Sequence, residues 1–438
     1  MCLLEIEEIL ITHNTSCESL GLPILLNLQY DNDDNLFYLL KQDSLFEEMY
    51  KAANEEQRFV IDTVLKTVLC DEDKESNEKV FCLTAHAGCE KTFVQKAILS
   101  KLRSMQHDCI SCAFSGIAAS LLEGGRTLHN LFKLPIPLLE NYVSGIPANS
   151  RHAIRLLQSS LIIIDEVSMC PVYAIQVIDR LLRDIASNGD KEKLFGEKTV
   201  LLCGDFQQTL PVVPHSGRAG IVESCVKSWP FWSQIRKMML NQNMRALPSE
   251  REFIKFLKEI GNGTPDDLIE IPNFLISSAS IIDEIYCNIP EIVQTPEITN
   301  RAILAPKNED CEEINHQVLR MMPGEERTYI SCDSVVTDNE HEQTLYPSEF
   351  LNNLSVSGLL PHKLTLKENA IVLLIRNYNT SKALINGTRI RVKRLHRNCL
   401  DCEVLTGASS GQRILIPRIN LRSSGTLLPF ILNRIQFR

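Results

Sequence analysis

No apolar run in the 438 residues approaches the roughly 18 needed to cross a bilayer, so a membrane span is not expected. The opening MCLLEIEEIL lacks the positive stretch that starts a secretory signal, which makes a soluble intracellular protein the expectation. Internal repeats and low-complexity tracts are missing too, which excludes solenoids and linker-rich arrays. So is net positive charge: 45 Lys and Arg against 55 Asp and Glu leave −10, excluding a chain coated all round with basic residues but not a local basic surface. Nor does a disulfide framework suggest itself, since 15 Cys is an odd count scattered through apolar segments, as reduced, buried thiols would be. Two CxxC pairs, Cys109/Cys112 and Cys399/Cys402, lie in stretches that read as strands. An i, i+3 pair in a strand points to opposite faces, which argues against zinc.

What is present is a chain that can bury a core, 44% hydrophobic and 23% charged, long enough for two or three domains at roughly 100–200 residues each. From Val80 to about Gln208 short apolar runs (VFCLT, CISCAF, LIIID, TVLLC) alternate with helical stretches such as TFVQKAILSKL. That alternation predicts a parallel sheet with crossover helices. Arg251 to Gly263 predicts a helix ended by Gly-Asn-Gly. RAILAP at Arg301 predicts a strand and EDCEEINHQVLRMM a helix, the start of a second α/β unit. After about His362 the pattern changes to short strands broken by turns, including Asn386-Gly387, which predicts a small antiparallel barrel. Residues 386–438 carry ten Lys or Arg and two acidic residues, so an acidic chain holds a basic module suited to nucleic acid or, more plainly, to a solvated strand face.

Four elements carry chemistry. Ala85-His-Ala-Gly-Cys-Glu-Lys91-Thr92 is a degraded form of the phosphate loop G-x-x-x-x-G-K-[ST], in which backbone N–H groups and Lys meet phosphates and Ser/Thr holds Mg²⁺. Alone it is no better than an ordinary strand-turn-helix junction. LIIID ends in Asp165-Glu166 at the carboxyl end of a strand, where ligands of open α/β sheets bind. Asp there can hold Mg²⁺ and Glu can activate water, although a solvated acidic pair capping a buried strand fits equally well. Leu202-Cys-Gly-Asp205-Phe-Gln-Gln208 could sense a terminal phosphate, and Asn243-Met-Arg245 offers an arginine to a transition state. In this order, the four favour nucleotide hydrolysis. An unrelated phosphate-loop kinase would leave GDFQQ, NMR and the barrel segments unexplained.

On these residues, together with Asn54-Glu-Glu-Gln57, Phe114-Ser-Gly-Ile-Ala-Ala, Gly124-Gly-Arg-Thr127-Leu-His129, IIIDEVSM, AILAPKN, YPSEFLNNL and PHKLTLKENAIVLLIRN, the sequence resembles the petite integration frequency DNA helicases of superfamily one, in the version carried by Helitron-type transposons. The resemblance implies an α/β chain. It has a first RecA-like P-loop ATPase domain over 51–246 behind an acidic segment 1–50, a partial second RecA-like domain over 247–361, and an SH3-like β-barrel insertion over 362–438. It implies that Gln57 recognises adenine, that Ala87, Gly88, Cys89, Glu90, Lys91 and Thr92 cradle ATP, and that Thr92 and Asp165 hold Mg²⁺. Glu166 then activates water, while Gln208 and Arg245 couple the terminal phosphate to domain closure. Phe114, Ser115, Gly116, Thr127 and His129 would contact single-stranded DNA, with Phe132 either stacking on a base or packing in the core, and Arg391, Lys393 and Arg394 would clamp the strand.

The implied protein is an ATP-dependent 5′–3′ DNA helicase working on single strands and duplex junctions, as a monomer. It would act in the nucleus or the mitochondrion, in repair, recombination or telomere maintenance. Two departures from the pattern set up the alternative, a Helitron-derived binding protein without turnover. Glu90 stands where the loop normally has Gly, and a carboxylate about 4 Å from a phosphate costs on the order of 4 kcal/mol. If Glu90 instead turns to solvent, the loss is much smaller. Second, the family continues beyond the position of Arg438 into a further DNA-contacting strand and loop and another ATP-sensing arginine. On that expectation the second RecA-like domain lacks strands and exposes apolar surface or an unpaired edge.

Overall fold

The computed structural model describes residues 32–69, 79–135, 138, 141–187, 189–213, 216–247, 249–263, 268–293, 295–336, 346–356, 358–379, 384–407, 409–423 and 428–437. The expected acidic segment 1–50 therefore lies mostly outside the described residues. Two compact units are drawn from the chain, one from Met1–Asp73 with Phe93–Cys109, the other from Lys74–Thr92 with Ile110–Arg438.

The first unit is helical: α1 (Asn32–Ala52), α2 (Glu55–Leu69) and most of α3 (Lys91–Ser104). Val60, Ile61, Val64 and Leu65 are buried at the i, i+3, i+4 spacing of an apolar helix stripe, as are Val94, Ala97, Ile98 and Leu102. Asp43 accepts from Lys101 Nζ at 2.9 Å and Ser104 Oγ at 3.2 Å, which fixes α1 on the end of α3.

The second unit opens with the predicted parallel sheet, in the order β3-β2-β4-β5-β1-β6. Its strands are β1 (Val80–Ala85), β2 (Cys109–Ala113), β3 (Arg126–Thr127), β4 (Leu161–Asp165), β5 (Val200–Gly204) and β6 (Arg236–Leu240). β1 pairs parallel with β5 and β6, β4 with β5, and β2 with β3, so their carboxyl ends share one edge. Every residue of β4 and β5 is buried, which is why LIIID and VLLCG contain no alternating polar positions. Ile162, Ile164, Val200 and Leu202 join one core with Ile175, Ile178 and Leu182 of the later helix Val172–Ile185.

Beyond the sheet, Arg251–Asn262 is helical as the sequence predicts, and so is Asn308–Met321. The strand expected at RAILAP does not form. Residues 301–305 pair with no described strand and Leu304 is 93% exposed; Pro306, which has no N–H to donate, closes the segment. Leu268, Phe274 and Ile276 are exposed nearby.

β7 (Arg327–Ile330) pairs instead with β9 (Lys363–Leu366), and β8 (Cys332–Val336) with β15 (Ile431–Gln436), all antiparallel. Between β9 and β15, the strands β10 (Ile371–Leu373), β11 (Arg389–Leu395), β12 (Cys399–Val404) and β13 (Arg413–Pro417) form a four-stranded antiparallel sheet in chain order, and β14 (Ile419–Arg422) pairs with β15. Arg434 of β15 is fully buried and uses its whole guanidinium: Asp333 accepts from Nη2 at 2.7 Å and from Nε at 2.9 Å, and the carbonyls of Leu351, Leu354 and Leu360 accept the rest.

Candidate functional site

β1 runs into the loop His86–Glu90 and then α3, so Lys91 and Thr92 open a helix at the carboxyl edge of the sheet, where N–H groups point outward. The loop turns tightly, with Cys89 N–H donating to His86 O at 3.1 Å and Gly88 at φ +86°. Glu90 also lies in the left-handed region, at φ +59°. That conformation is nearly free for Gly but costs a side-chain-bearing residue about 1 kcal/mol. A glycine conformation occupied by Glu is thus built into the loop.

Lys91 Nζ lies 2.9 Å from Asp165 Oδ1 and 3.4 Å from Glu166 Oε1. Burial alone would push the Lys91 ammonium down, but the Asp165 and Glu166 carboxylates outweigh it and hold the group above its ordinary value. It stays charged. Asp165 Oδ1 also accepts from Glu166 N–H at 2.9 Å, an arrangement that goes with Glu166 at φ +56°, just past the strand end. Asp205, 3% exposed after β5, accepts from Gln207 N–H at 3.0 Å and from Gln208 Nε2 at 2.9 Å, so the side chain expected to read a terminal phosphate is held by a buried carboxylate.

The segment after β6 closes onto the loop. Met244 N–H donates to Gly88 O at 2.8 Å, and Asn243 Nδ2 approaches Ala87 O at 3.5 Å. Asn243 Oδ1 accepts from the N–H groups of Arg245 and Ala246, both at 2.9 Å. A Cβ on Gly88 would stand 2.8 Å from the Asn243 amide, so glycine is required there twice over, by its φ and by this contact. Arg245 Nη2 reaches Glu90 Oε1 at 3.1 Å. Asn243 was missed as a site residue, and the sequence did not show that the Glu90 carboxylate is turned to Arg245. No local signal could have shown this, because the partners are 155 residues apart. Gln57 belongs to the first unit, where its Oε1 accepts from Asn54 N–H at 3.1 Å while Asn54 Oδ1 accepts from Gln57 N–H at 2.8 Å, a reciprocal cap on α2.

The residues expected to meet DNA, Phe114 to His129, group at strands β2 and β3 of the sheet. Phe114 N–H donates to Asp165 O at 3.1 Å, tying this segment to the acidic pair. Ser115 caps the helix Gly116–Leu121 by accepting from Ala118 N–H, and Thr127 caps Leu128–Leu131 by accepting from Asn130 N–H. The His129 ring sits 5.7 Å from that of Phe114, and burial pushes its imidazole below the ordinary value. Phe132 is fully buried in the sheet core and has no face to offer a base.

Of the three residues expected to clamp the strand, two are already engaged. Arg391 Nη2 donates to Thr295 O at 3.3 Å, and Lys393, the extra residue at a register shift between Val392 and Arg394, meets Glu403 at 2.7 Å. Arg394 is exposed.

Residues 52–270 match the family model described as PIF1-like helicase, and residues 349–395 that of the DNA helicase Pif1 2B domain. The ATP-dependent DNA helicase PIF1 of Candida albicans is 24% identical over 315 residues, 70% of this chain and 32% of that protein. The ATP-dependent DNA helicase Pif1 of Bdellovibrio bacteriovorus is 27% identical over 325 residues, 72% of this chain and 63% of that one. The chain thus spans less than two thirds of either relative. The crystal structure of Bacteroides Pif1 bound to ssDNA superposes with a TM-score of 0.57 at 23% identity, over 88% of this chain and 80% of that one, which shows a shared α/β fold around a parallel sheet.

Proposed function

The chain belongs to the PIF1-like helicase family, and from that premise we propose that it hydrolyses ATP to move 5′ to 3′ along single-stranded DNA and open duplex junctions. The observation that carries this reading is the meeting of Lys91, Asp165 and Glu166 within 3.4 Å at the carboxyl edge of a parallel sheet, beside a loop that Met244 and Asn243 hold in place.

In this reading Lys91 leaves Asp165 for the phosphate oxygens. Glu166, freed of Lys91, orients and deprotonates the attacking water, and Gln208 and Arg245 donate to the transferring phosphoryl group. The Thr92 hydroxyl and the Asp165 carboxylate are the oxygen donors Mg²⁺ takes in such sites. As hard oxygen donors they would suit the ion, which would need phosphate oxygens or water besides, since the described residues contain no cluster of three or more acidic, His or Cys side chains able to hold a metal unaided. Bound there, the ion would neutralise charge on the phosphates.

The strand would run along Phe114–His129; the Bacteroides relative is bound to ssDNA, which supports a single strand as the partner but not this particular path. We keep the division at residues 50, 246 and 361, with 247–361 as a partial second RecA-like domain and 362–438 as an SH3-like β-barrel insertion, in a helicase of the Helitron type. The nucleus, or the mitochondrion, is its place of work in DNA repair, recombination or telomere maintenance. ATP turnover that rises with single-stranded DNA and vanishes in Lys91→Ala, together with unwinding of a 5′-tailed duplex, is the expected result. Turnover no higher than that of Lys91→Ala would refute the proposal.

A further inference from the structure

We infer that Glu90 makes the site discriminate against nucleoside triphosphates relative to diphosphates, by competing with the third phosphate for Arg245; this rests on the nucleotide-binding reading above. Three contacts tie the Asn243–Arg245 segment to the loop: Met244 N–H to Gly88 O, Asn243 Nδ2 to Ala87 O, and Arg245 Nη2 to Glu90 Oε1. The backbone of Arg245 is itself pinned, since its N–H donates to Asn243 Oδ1 at 2.9 Å. Only the Arg245 side chain is left to choose a partner, and a guanidinium, all donors and no acceptor, can choose only an anion. Among the described residues the anion that pairs with Arg245 is Glu90, held at φ +59° with its carboxylate turned to Arg245.

A γ-phosphate must draw Arg245 away and leave Glu90 unpaired beside a polyanion. A diphosphate ends short of that contest and leaves the pair intact. The cost therefore falls on the triphosphate alone, unlike simple repulsion by Glu90, which would weaken both nucleotides. The pair is exposed, 72% for Arg245 and 40% for Glu90, so its effect should reach about fivefold, the upper end for a surface ion pair.

Isothermal titration with ADP and with a non-hydrolysable ATP analogue tests this, using the full chain, Glu90→Gln, Arg245→Gln and the double variant. Gln keeps the length of the side chain and removes only its charge, whereas Gly would also relax the loop. Glu90→Gln is expected to tighten the triphosphate analogue about fivefold and ADP hardly at all, and the gain should vanish in the Arg245→Gln background. Equal gains for both nucleotides, no gain, or a gain that survives Arg245→Gln would overturn the inference while leaving the nucleotide site standing. Failure of every form, the unaltered chain included, to bind either nucleotide would overturn both.

Discussion

Lys91 Nζ and Asp165 Oδ1 are 2.9 Å apart, with side chains only 12% and 5% exposed, so the loop cation and the acidic strand end neutralise each other in a largely dry setting. Either partner alone would be a poorly solvated charge. Lys91→Met should abolish nucleotide binding and also cost on the order of 3 kcal/mol of stability, because it strands Asp165. Adding Asp165→Leu should restore much of the stability and none of the turnover. Urea unfolding read beside ATPase activity checks both halves, and a double variant no more stable than Lys91→Met would contradict the account.

Arg434 poses a similar question far from the loop. Arg434→Met should destabilise its surroundings by about 3–5 kcal/mol, since Asp333 and three carbonyls lose their donor in a fully buried place. Local loss of hydrogen-exchange protection in β8 and β15, with the parallel sheet unaffected, is the expected signature.

Acid should weaken the second unit through His129. Its imidazole is held below 6.5 by burial, and His152 is depressed for the same leading reason. Unfolding lets both take up protons more readily, so the stability they contribute is complete above about pH 6.5 and is lost as the pH falls through that value toward the folded pKa. Melting temperatures measured from pH 7.5 to 5 should decline, and less steeply in His129→Gln.

Thiol chemistry should be selective. Burial pushes the Cys82 thiol up to about 11 and that of Cys402 to about 12, whereas Cys287 and Cys332 are exposed. Iodoacetamide at neutral pH should label the exposed pair first and the buried pair only after denaturation. Early alkylation of Cys82 would contradict its place in the sheet.

Within the basic strand, Arg394 should matter more to DNA than its neighbours. Arg394→Gln is expected to lower the salt dependence of single-strand binding by about one ion's worth. Arg391→Gln and Lys393→Gln, which break bonds to Thr295 and Glu403, should act mainly on stability.

The sequence made the parallel sheet legible because β1, β4 and β5 are short, nearly all apolar and followed by polar residues at their carboxyl ends, a pattern set by burial on both faces. Lys91, Asp165 and Glu166 were legible for the same reason, as chemistry at strand ends. RAILAP was misread because apolar content alone cannot tell whether a strand finds a neighbour, and here none of the described strands takes it. The orientation of Glu90 was not legible because its partner, Arg245, is supplied by a segment 155 residues away. Phe132 could go either way on sequence, and only packing decided for the core.

β8 and β15 meet across about a hundred residues, with Asp333 and Arg434 separated by 101 positions. During vectorial synthesis Asp333 leaves the ribosome long before its guanidinium partner exists. This part of the chain must stay uncommitted for several seconds at ordinary elongation rates of roughly 5–20 residues per second. Premature pairing of β8 with another free strand is then the natural misfolding route, and a chaperone that shields it would raise yield without altering the finished protein.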